Sequence, residues 1–165
     1  MNSQSLLAKV TKVYALLVKC AGMLQSPLLL VMRLWWGWSF FKAGKDHLTG
    51  HADYAGFFQT LHIPLPELNA WVAASVECVG GLCLLSGFAS RLISIPLSIT
   101  MIVAYLTADN EALKSIFSDP DKFTLATPFL FLLTSLLVLA FGPGAFSVDR
   151  LLARKFSPAP VNGKG

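Results

Sequence analysis

Residues 27–48 read PLLLVMRLWWGWSFFKAGKDHL, and this stretch decides the fold class. It begins at Pro27, directly after the polar pair Gln25 and Ser26, and apolar side chains dominate it. A helix needs about 20 mostly apolar residues to cross a hydrocarbon core about 30 Å thick. The stretch therefore predicts a membrane-spanning helix.

Three further apolar stretches follow at residues 68–85, 92–107 and 124–141, each bounded by proline, glycine or polar residues. The chain has 165 residues, of which 55% are hydrophobic and only 13% are charged. This composition excludes disorder, and it leaves too few polar residues to cover four such helices in water. We predict an all-α integral membrane protein, with a four-helix bundle over residues 27–156.

The first 26 residues form a separate predicted unit. At helical spacing, apolar residues fall on one face of residues 4–24, and Lys9, Lys12 and Lys19 fall on the other. This pattern is typical of a basic amphipathic helix lying at a membrane surface. A cleaved signal peptide is disfavoured because Lys19 would interrupt its apolar core. The Pro/Gly-rich tail, residues 157–165, is predicted to be disordered.

Lysine and arginine are distributed unevenly between the predicted spans. They concentrate before the first span, in the turn after the second, and after the fourth, whereas the other two loops are mainly acidic. Because cytoplasmic loops carry the excess of basic residues, both termini are predicted to be cytoplasmic. The net charge of +4 thus indicates membrane orientation, and nucleic acid is not an expected partner.

Two charges fall deep inside predicted spans, Arg33 on the first and Glu77 on the second. A charge at that depth costs at least about 2.5 kcal/mol, so it normally faces a partner, a cavity or a ligand. Glu77 shares its face with small residues, which indicates that it points into the bundle. We expect Arg33 and Glu77 to pair, either as a buried salt bridge that fixes helix register or as part of a ligand or proton site.

Other reactive side chains give weaker signals. His47 and His51 could share a metal only if the helix continued through Gly50, and a third ligand is missing, so no metal site is predicted. Cys78 and Cys83 lie five residues apart on a helix, beyond disulfide reach. The sequence contains no flavin, haem or iron–sulfur motif.

Several segments together closely resemble the bacterial DoxX family, in order and spacing, from about residue 27 to residue 155. The segments are RLWWGWSFFKAG (33–44), FF (57–58), IPLPELNA (63–70), ECVGGL (77–82), GFASRL (87–92) and MIVAYLT (101–107). The resemblance implies a four-helix protein of the bacterial cytoplasmic membrane, in a family named after a subunit of quinone-linked thiosulfate oxidation. His47 departs from the family pattern, which usually has lysine there.

The resemblance and the buried charges together lead us to expect a membrane component of a quinone-linked redox system. The quinone head group is expected beside Arg33 and Glu77, and a partner redox protein or a second copy of the chain is expected to complete the system. The full set of expected ligand-binding residues is Arg33, Trp36, Gly37, Phe40, Gly44, His47, Glu77 and Tyr105. Two alternatives stay open: a non-catalytic scaffold or assembly factor, and a small-solute carrier.

Overall fold

The structure, a computed structural model, describes the backbone of residues 3–156 and the side chains of residues 10–156. This part of the chain is helical and contains no strand. The helices are α1 (Ser3–Thr49), α2 (His51–Thr60), α3 (Pro66–Ser86), α4 (Ser90–Thr107), α5 (Asn110–Lys114), α6 (Pro120–Leu125), α7 (Pro128–Phe141) and α8 (Val148–Phe156). The predicted all-α class is confirmed, and the predicted disordered tail, residues 157–165, lies outside the described residues.

The predicted amphipathic segment is not a separate element. It continues into the first span as one helix, α1, which passes through Pro27 without a break. An internal proline removes one hydrogen bond and costs about 3 kcal/mol. A membrane-spanning helix tolerates that cost because opening the chain would leave more backbone groups unsatisfied in lipid. The 47 residues of α1 make it about 70 Å long, well beyond the thickness of a bilayer.

Three helices are long and apolar enough to cross a membrane: α1 from Val10 onward, α3 and α4. The fourth predicted span, 124–141, does not form one helix. The short helix α6 ends at Leu125, the backbone at Ala126 is extended, and α7 has only 14 residues. Pro128 explains the interruption, because it has no N–H to donate to the carbonyl of Thr124, its ring would clash with that carbonyl in a continuous helix, and proline favours the first turn of a new helix.

The four longest helices pack around one core. α1 and α4 both contact α3 and α7, so the two pairs enclose a common interior. Phe40, Leu84, Leu97, Met101 and Val138 fill it. The short helix α2 packs against α3 at one end of the bundle. This end is opposite the turn that joins α3 to α4, and it contains the candidate site described below.

The α1–α3 interface brings two backbones into direct contact through glycines. A Cβ placed on Gly44 would lie 2.7 Å from the carbonyl oxygen of Ala74 and would overlap the backbone of Cys78. A Cβ placed on Gly81 would likewise lie 2.7 Å from the carbonyl oxygen of Gly37. The two helices are therefore fixed in one antiparallel register, in which Gly37 faces Gly81 and Gly44 faces Ala74.

We predict that Gly44→Ala destabilises the protein by about 1–3 kcal/mol, because the added methyl group forces apart two backbones that cannot yield locally. Thermal unfolding of the purified protein in detergent measures this. Gly56→Ala on α2 is the matched control, since no atom lies within 4 Å of its added Cβ. An unfolding temperature for Gly44→Ala equal to that of Gly56→Ala would contradict the close contact.

Candidate ligand site

Glu77 on α3 is bonded to His47 on α1. Its Oε2 lies 2.9 Å from Nδ1 of the imidazole. The Glu77 side chain is only 6% exposed, whereas that of His47 is 36% exposed. Because an ionised carboxylate can only accept hydrogen bonds, the imidazole nitrogen donates in this pair. A buried carboxylate is thus held by an imidazole that reaches the surface.

Tyr54 on α2 completes the polar group around this pair. Its ring stacks on the His47 imidazole with centroids 3.9 Å apart and planes 5° from parallel. Burial, together with the nearby negative charge of Glu77, raises the pKa of Tyr54 above its usual range. The phenol therefore keeps its proton at any physiological pH and remains a hydrogen-bond donor.

A cavity of about 380 Å³ lies against Glu77, between α2, α3 and α4. Most of its wall is apolar, and Glu77 contributes the only charged side chain among the described residues that line it. The lining residues Val72, Ile99 and Val103 are also exposed on the outer surface of the helices. These residues belong to helices apolar enough to span a membrane, so the cavity reaches an apolar outer surface of α3 and α4.

A second imidazole–carboxylate pair lies nearer the end of the bundle. Nε2 of His51 is 3.0 Å from Oε2 of Glu67, and the ring of His51 packs against Trp71 at 4.3 Å. The Glu67 side chain is 77% exposed, so its carboxylate is far more accessible than that of Glu77. α1 ends at Thr49 and α2 begins at His51, as expected for an interruption at Gly50. His47 and His51 each have their own acidic partner, and no group of three potential metal ligands occurs in the described part of the chain.

Arg33 does not pair with Glu77, and the predicted ion pair is wrong. Its Nε donates to the carbonyl of Leu84 at 2.8 Å, and its Nη2 donates to that of Leu85 at 3.3 Å. Its Nη1 donates to Phe146 at 3.1 Å and also to Pro143. Arg33 is 1% exposed, so its prediction as a buried residue is confirmed.

The register of the α1–α3 pair explains the error. Leu84 lies seven residues beyond Glu77, which is about 10 Å along α3. With Gly37 against Gly81, Arg33 falls at the end of α3, where carbonyls have no helical partner. A guanidinium at a helix C-terminus is favoured by both hydrogen bonding and the helix dipole.

The remaining expected site residues belong to the core and not to the cavity wall. Trp36 and Phe40 pack edge-on against Phe131 of α7, with ring centroids 5.0 and 4.5 Å away. Gly37 and Gly44 form the contact with α3. Tyr105 donates from its hydroxyl to the carbonyl of Phe123 at 2.9 Å. Of the eight expected residues, Glu77 alone lines the cavity, and His47 forms a hydrogen bond with Glu77 without lining the cavity itself.

Two functional features escaped the sequence reasoning. One is α2, whose Tyr54, Phe57 and Phe58 form a wall of the cavity. The second is Asp149, whose carboxylate accepts hydrogen bonds from the backbone nitrogens of Ala89 at 2.7 Å and Ser90 at 3.0 Å, and so caps α4. An aspartate near the end of a chain gives no sign of a partner 60 residues away, whereas the aromatic spacing of α2 was a signal that could have been used.

Comparison with known proteins identifies the family. The model of the DoxX family matches residues 28–110, which is half of the chain. The chain belongs to the DoxX family. The matched region of this DoxX protein contains His47, Glu77 and every residue that lines the cavity. The carbonyl groups of Pro143 and Phe146 that hold Arg33 lie outside it.

Two curated relatives are similar over most of their length. The protein is 30% identical over 117 residues to "Putative oxidoreductase CatD" of Bacillus subtilis (strain 168), covering 71% of this chain and 86% of that protein. It is also 30% identical over 130 residues to "Inner membrane protein YqjF" of Escherichia coli (strain K12), covering 77% and 93%. No solved structure matches. Family membership and the long apolar helices together identify this DoxX protein as a multi-pass membrane protein.

We predict that Arg33→Met in this DoxX protein lowers the free energy of unfolding by about 3 kcal/mol or more. The substitution removes the four hydrogen bonds of a guanidinium that is 1% exposed, and a hydrogen bond to a charged group contributes about 1.5–3 kcal/mol. Unfolding in detergent, followed by circular dichroism, measures the loss. Arg91→Met is the control, because Arg91 is exposed and makes one hydrogen bond, to Ala140. Equal stability of the two variants would show that Arg33 is not the residue that joins the helix ends.

Proposed function

We propose that this protein is the membrane component of a quinone-linked redox system and that a quinone head group binds in the cavity beside Glu77. The observation that carries the proposal is a buried carboxylate, held by His47, in the wall of an apolar cavity that reaches the apolar outer surface of α3 and α4. A lipid-soluble ring with polar substituents fits such a cavity, because apolar walls bury the ring and a few polar groups orient it.

The size and lining of the cavity support this ligand class. A volume of about 380 Å³ lies within the range of small-molecule sites. Phe57, Phe58 and Ile63 offer apolar surface for a ring, and Tyr54 and Glu77 offer polar contacts on one side. The exposed lining residues of α3 and α4 give a lateral route through which a molecule dissolved in the bilayer could enter.

Electron transfer in this proposal depends on a partner. The sequence contains no flavin, haem or iron–sulfur motif, so we assign this chain the binding of the quinone and the placement of its polar groups. The electrons would be exchanged with a partner redox protein, or across a homo-oligomer. The name of one relative, "Putative oxidoreductase CatD", is consistent with such a system.

The proposal includes a membrane topology. We propose that α7, extended by its flanking residues, completes a four-helix bundle in the bacterial inner membrane, with both termini cytoplasmic and the start of α1 at the membrane surface. Arg91 and the basic residues of α8 support this orientation, because they lie at the same end of the bundle as Arg33. The irregular backbone after α7 is tolerated at that depth because Arg33 binds its carbonyls.

We predict that Glu77→Gln weakens the binding of a short-chain hydroquinone, the reduced form of the ligand, to the purified protein by about tenfold or more, because the amide replaces a carboxylate that accepts a charge-assisted hydrogen bond and pairs with His47. Equilibrium dialysis measures the dissociation constant. Glu67→Gln is the matched control: it removes the same charge from the other histidine–carboxylate pair, outside the cavity.

The expected result is a large loss for Glu77→Gln and an unchanged dissociation constant for Glu67→Gln. Both variants must retain the unfolding temperature of the wild type to within a few degrees. If the wild type binds neither the hydroquinone nor the quinone, or if both variants bind the hydroquinone as the wild type does, the proposed site is wrong and the scaffold alternative gains support.

A further inference from the structure

We infer that the cavity selects the reduced form of its ligand: it binds a hydroquinone, through the donating hydroxyl groups, in preference to the corresponding quinone. This inference rests on the proposed function and deepens it, because it concerns which redox state the same site holds. The reason is that several polar groups around the cavity already donate their hydrogens to other protein atoms and can only accept a hydrogen bond from a ligand.

Glu77 presents an acceptor to the cavity. Among the described residues its hydrogen bond is with His47, and that bond uses Oε2. The second oxygen, Oε1, keeps its lone pairs on a residue that lines the cavity. An ionised carboxylate has no proton to donate, so a ligand meets Oε1 favourably only through an O–H or N–H group.

The two threonines in the wall, Thr100 and Thr107, can also only accept a hydrogen bond from a ligand. The hydroxyl of Thr100 donates its hydrogen to the carbonyl of Pro96 at 3.0 Å, and that of Thr107 donates to Val103 at 2.8 Å. A hydroxyl has one hydrogen and two lone pairs. Both threonine oxygens therefore have only lone pairs left for a ligand.

Asn69 and Tyr54 are the remaining polar side chains of the wall. The amide nitrogen of Asn69 donates to the carbonyl of Pro64 at 2.6 Å, which commits one of its two hydrogens. Tyr54 keeps its phenolic proton because its pKa is raised, and a phenol can either donate or accept. The cavity thus contains more acceptors than donors, and its one charged group is an acceptor.

A hydroquinone and a quinone of the same shape respond to this wall in opposite ways. A hydroquinone hydroxyl donates to the Glu77 carboxylate and forms a charge-assisted hydrogen bond. A quinone has carbonyl oxygens at the same positions, so it places an acceptor against the carboxylate and leaves Oε1 of Glu77 without a donor in an apolar site. Sites that lose a hydrogen-bonding partner discriminate more strongly than sites that lose apolar contact.

The test compares three ligands of nearly equal shape on the purified full-length protein, without oxygen and in one detergent. They are a short-chain hydroquinone, its quinone, and the dimethyl ether of the hydroquinone, which keeps the ring but has no hydroxyl donor. Equilibrium dialysis gives the three dissociation constants. We expect the hydroquinone to bind at least about tenfold more tightly than either of the other two.

Substitution then assigns the preference to a residue. In Glu77→Gln the carboxylate is replaced by an amide that both donates and accepts, so the preference for the hydroquinone should fall to about twofold or less. Glu67→Gln should keep the full preference. Because the three-ligand comparison uses the wild type, it decides the inference even if Glu77→Gln fails to fold.

The outcomes separate this inference from the proposed function. Quinone binding equal to or tighter than hydroquinone binding would overturn the inference and leave the proposed function intact. Tight binding of the dimethyl ether would also overturn it, because shape and not donation would then decide. If none of the three ligands binds, both the proposed function and the inference fail.

Discussion

The contact between the backbones of α1 and α3 determines which partners the buried polar side chains of these two helices meet. The two helices approach so closely at Gly37 and Gly44 on α1 and at Gly81 on α3 that one added methyl group would overlap the opposite backbone. In a membrane, close packing of this kind replaces the hydrophobic effect as the force between helices. It also removes any freedom for the helices to slide, so each buried polar side chain meets one fixed partner.

Because the register is fixed, the two buried charges lie at opposite ends of the bundle and have different hydrogen-bonding partners. At one end the Arg33 guanidinium binds carbonyl oxygens of the end of α3 and of the loop after α7. At the other end Glu77 meets the half-exposed imidazole of His47. In the first arrangement the N–H groups of the guanidinium donate to carbonyls at the helix ends and so hold these ends together. The second leaves one carboxylate oxygen beside a cavity, and for this reason we assign function to Glu77 and structure to Arg33.

The sequence was sufficient to predict which faces are buried, because small and polar residues recur at helical spacing on both spans. Arg33, Gly37, Phe40 and Gly44 are buried as expected, and so is Glu77. It was not sufficient to pair Arg33 with its true partners, because the position of a charge within its own span does not fix the register between α1 and α3. Placing the glycine stripes of the two helices against each other would have put His47 near Glu77.

Other features depend on tertiary contacts that no local pattern encodes. The helix α2 has ten residues, too few for a span, and its role appears only when it packs against α3. Asp149 caps α4 across 60 residues of sequence. The fourth apolar stretch is interrupted near Pro128, because proline lacks the N–H that a continuous helix would need there, although the hydrophobic pattern continues. Length and hydropathy alone therefore overestimate this last helix.

The central claim is that His47, and not Arg33, is the partner of Glu77. A double-mutant cycle on the free energy of unfolding tests it most directly, with His47→Gln and Glu77→Gln singly and together, and a parallel cycle of Arg33→Met with Glu77→Gln. We expect a coupling of about 1 kcal/mol or more in the first cycle, and additivity within about 0.5 kcal/mol in the second. Additivity in the first cycle and coupling in the second would contradict this account.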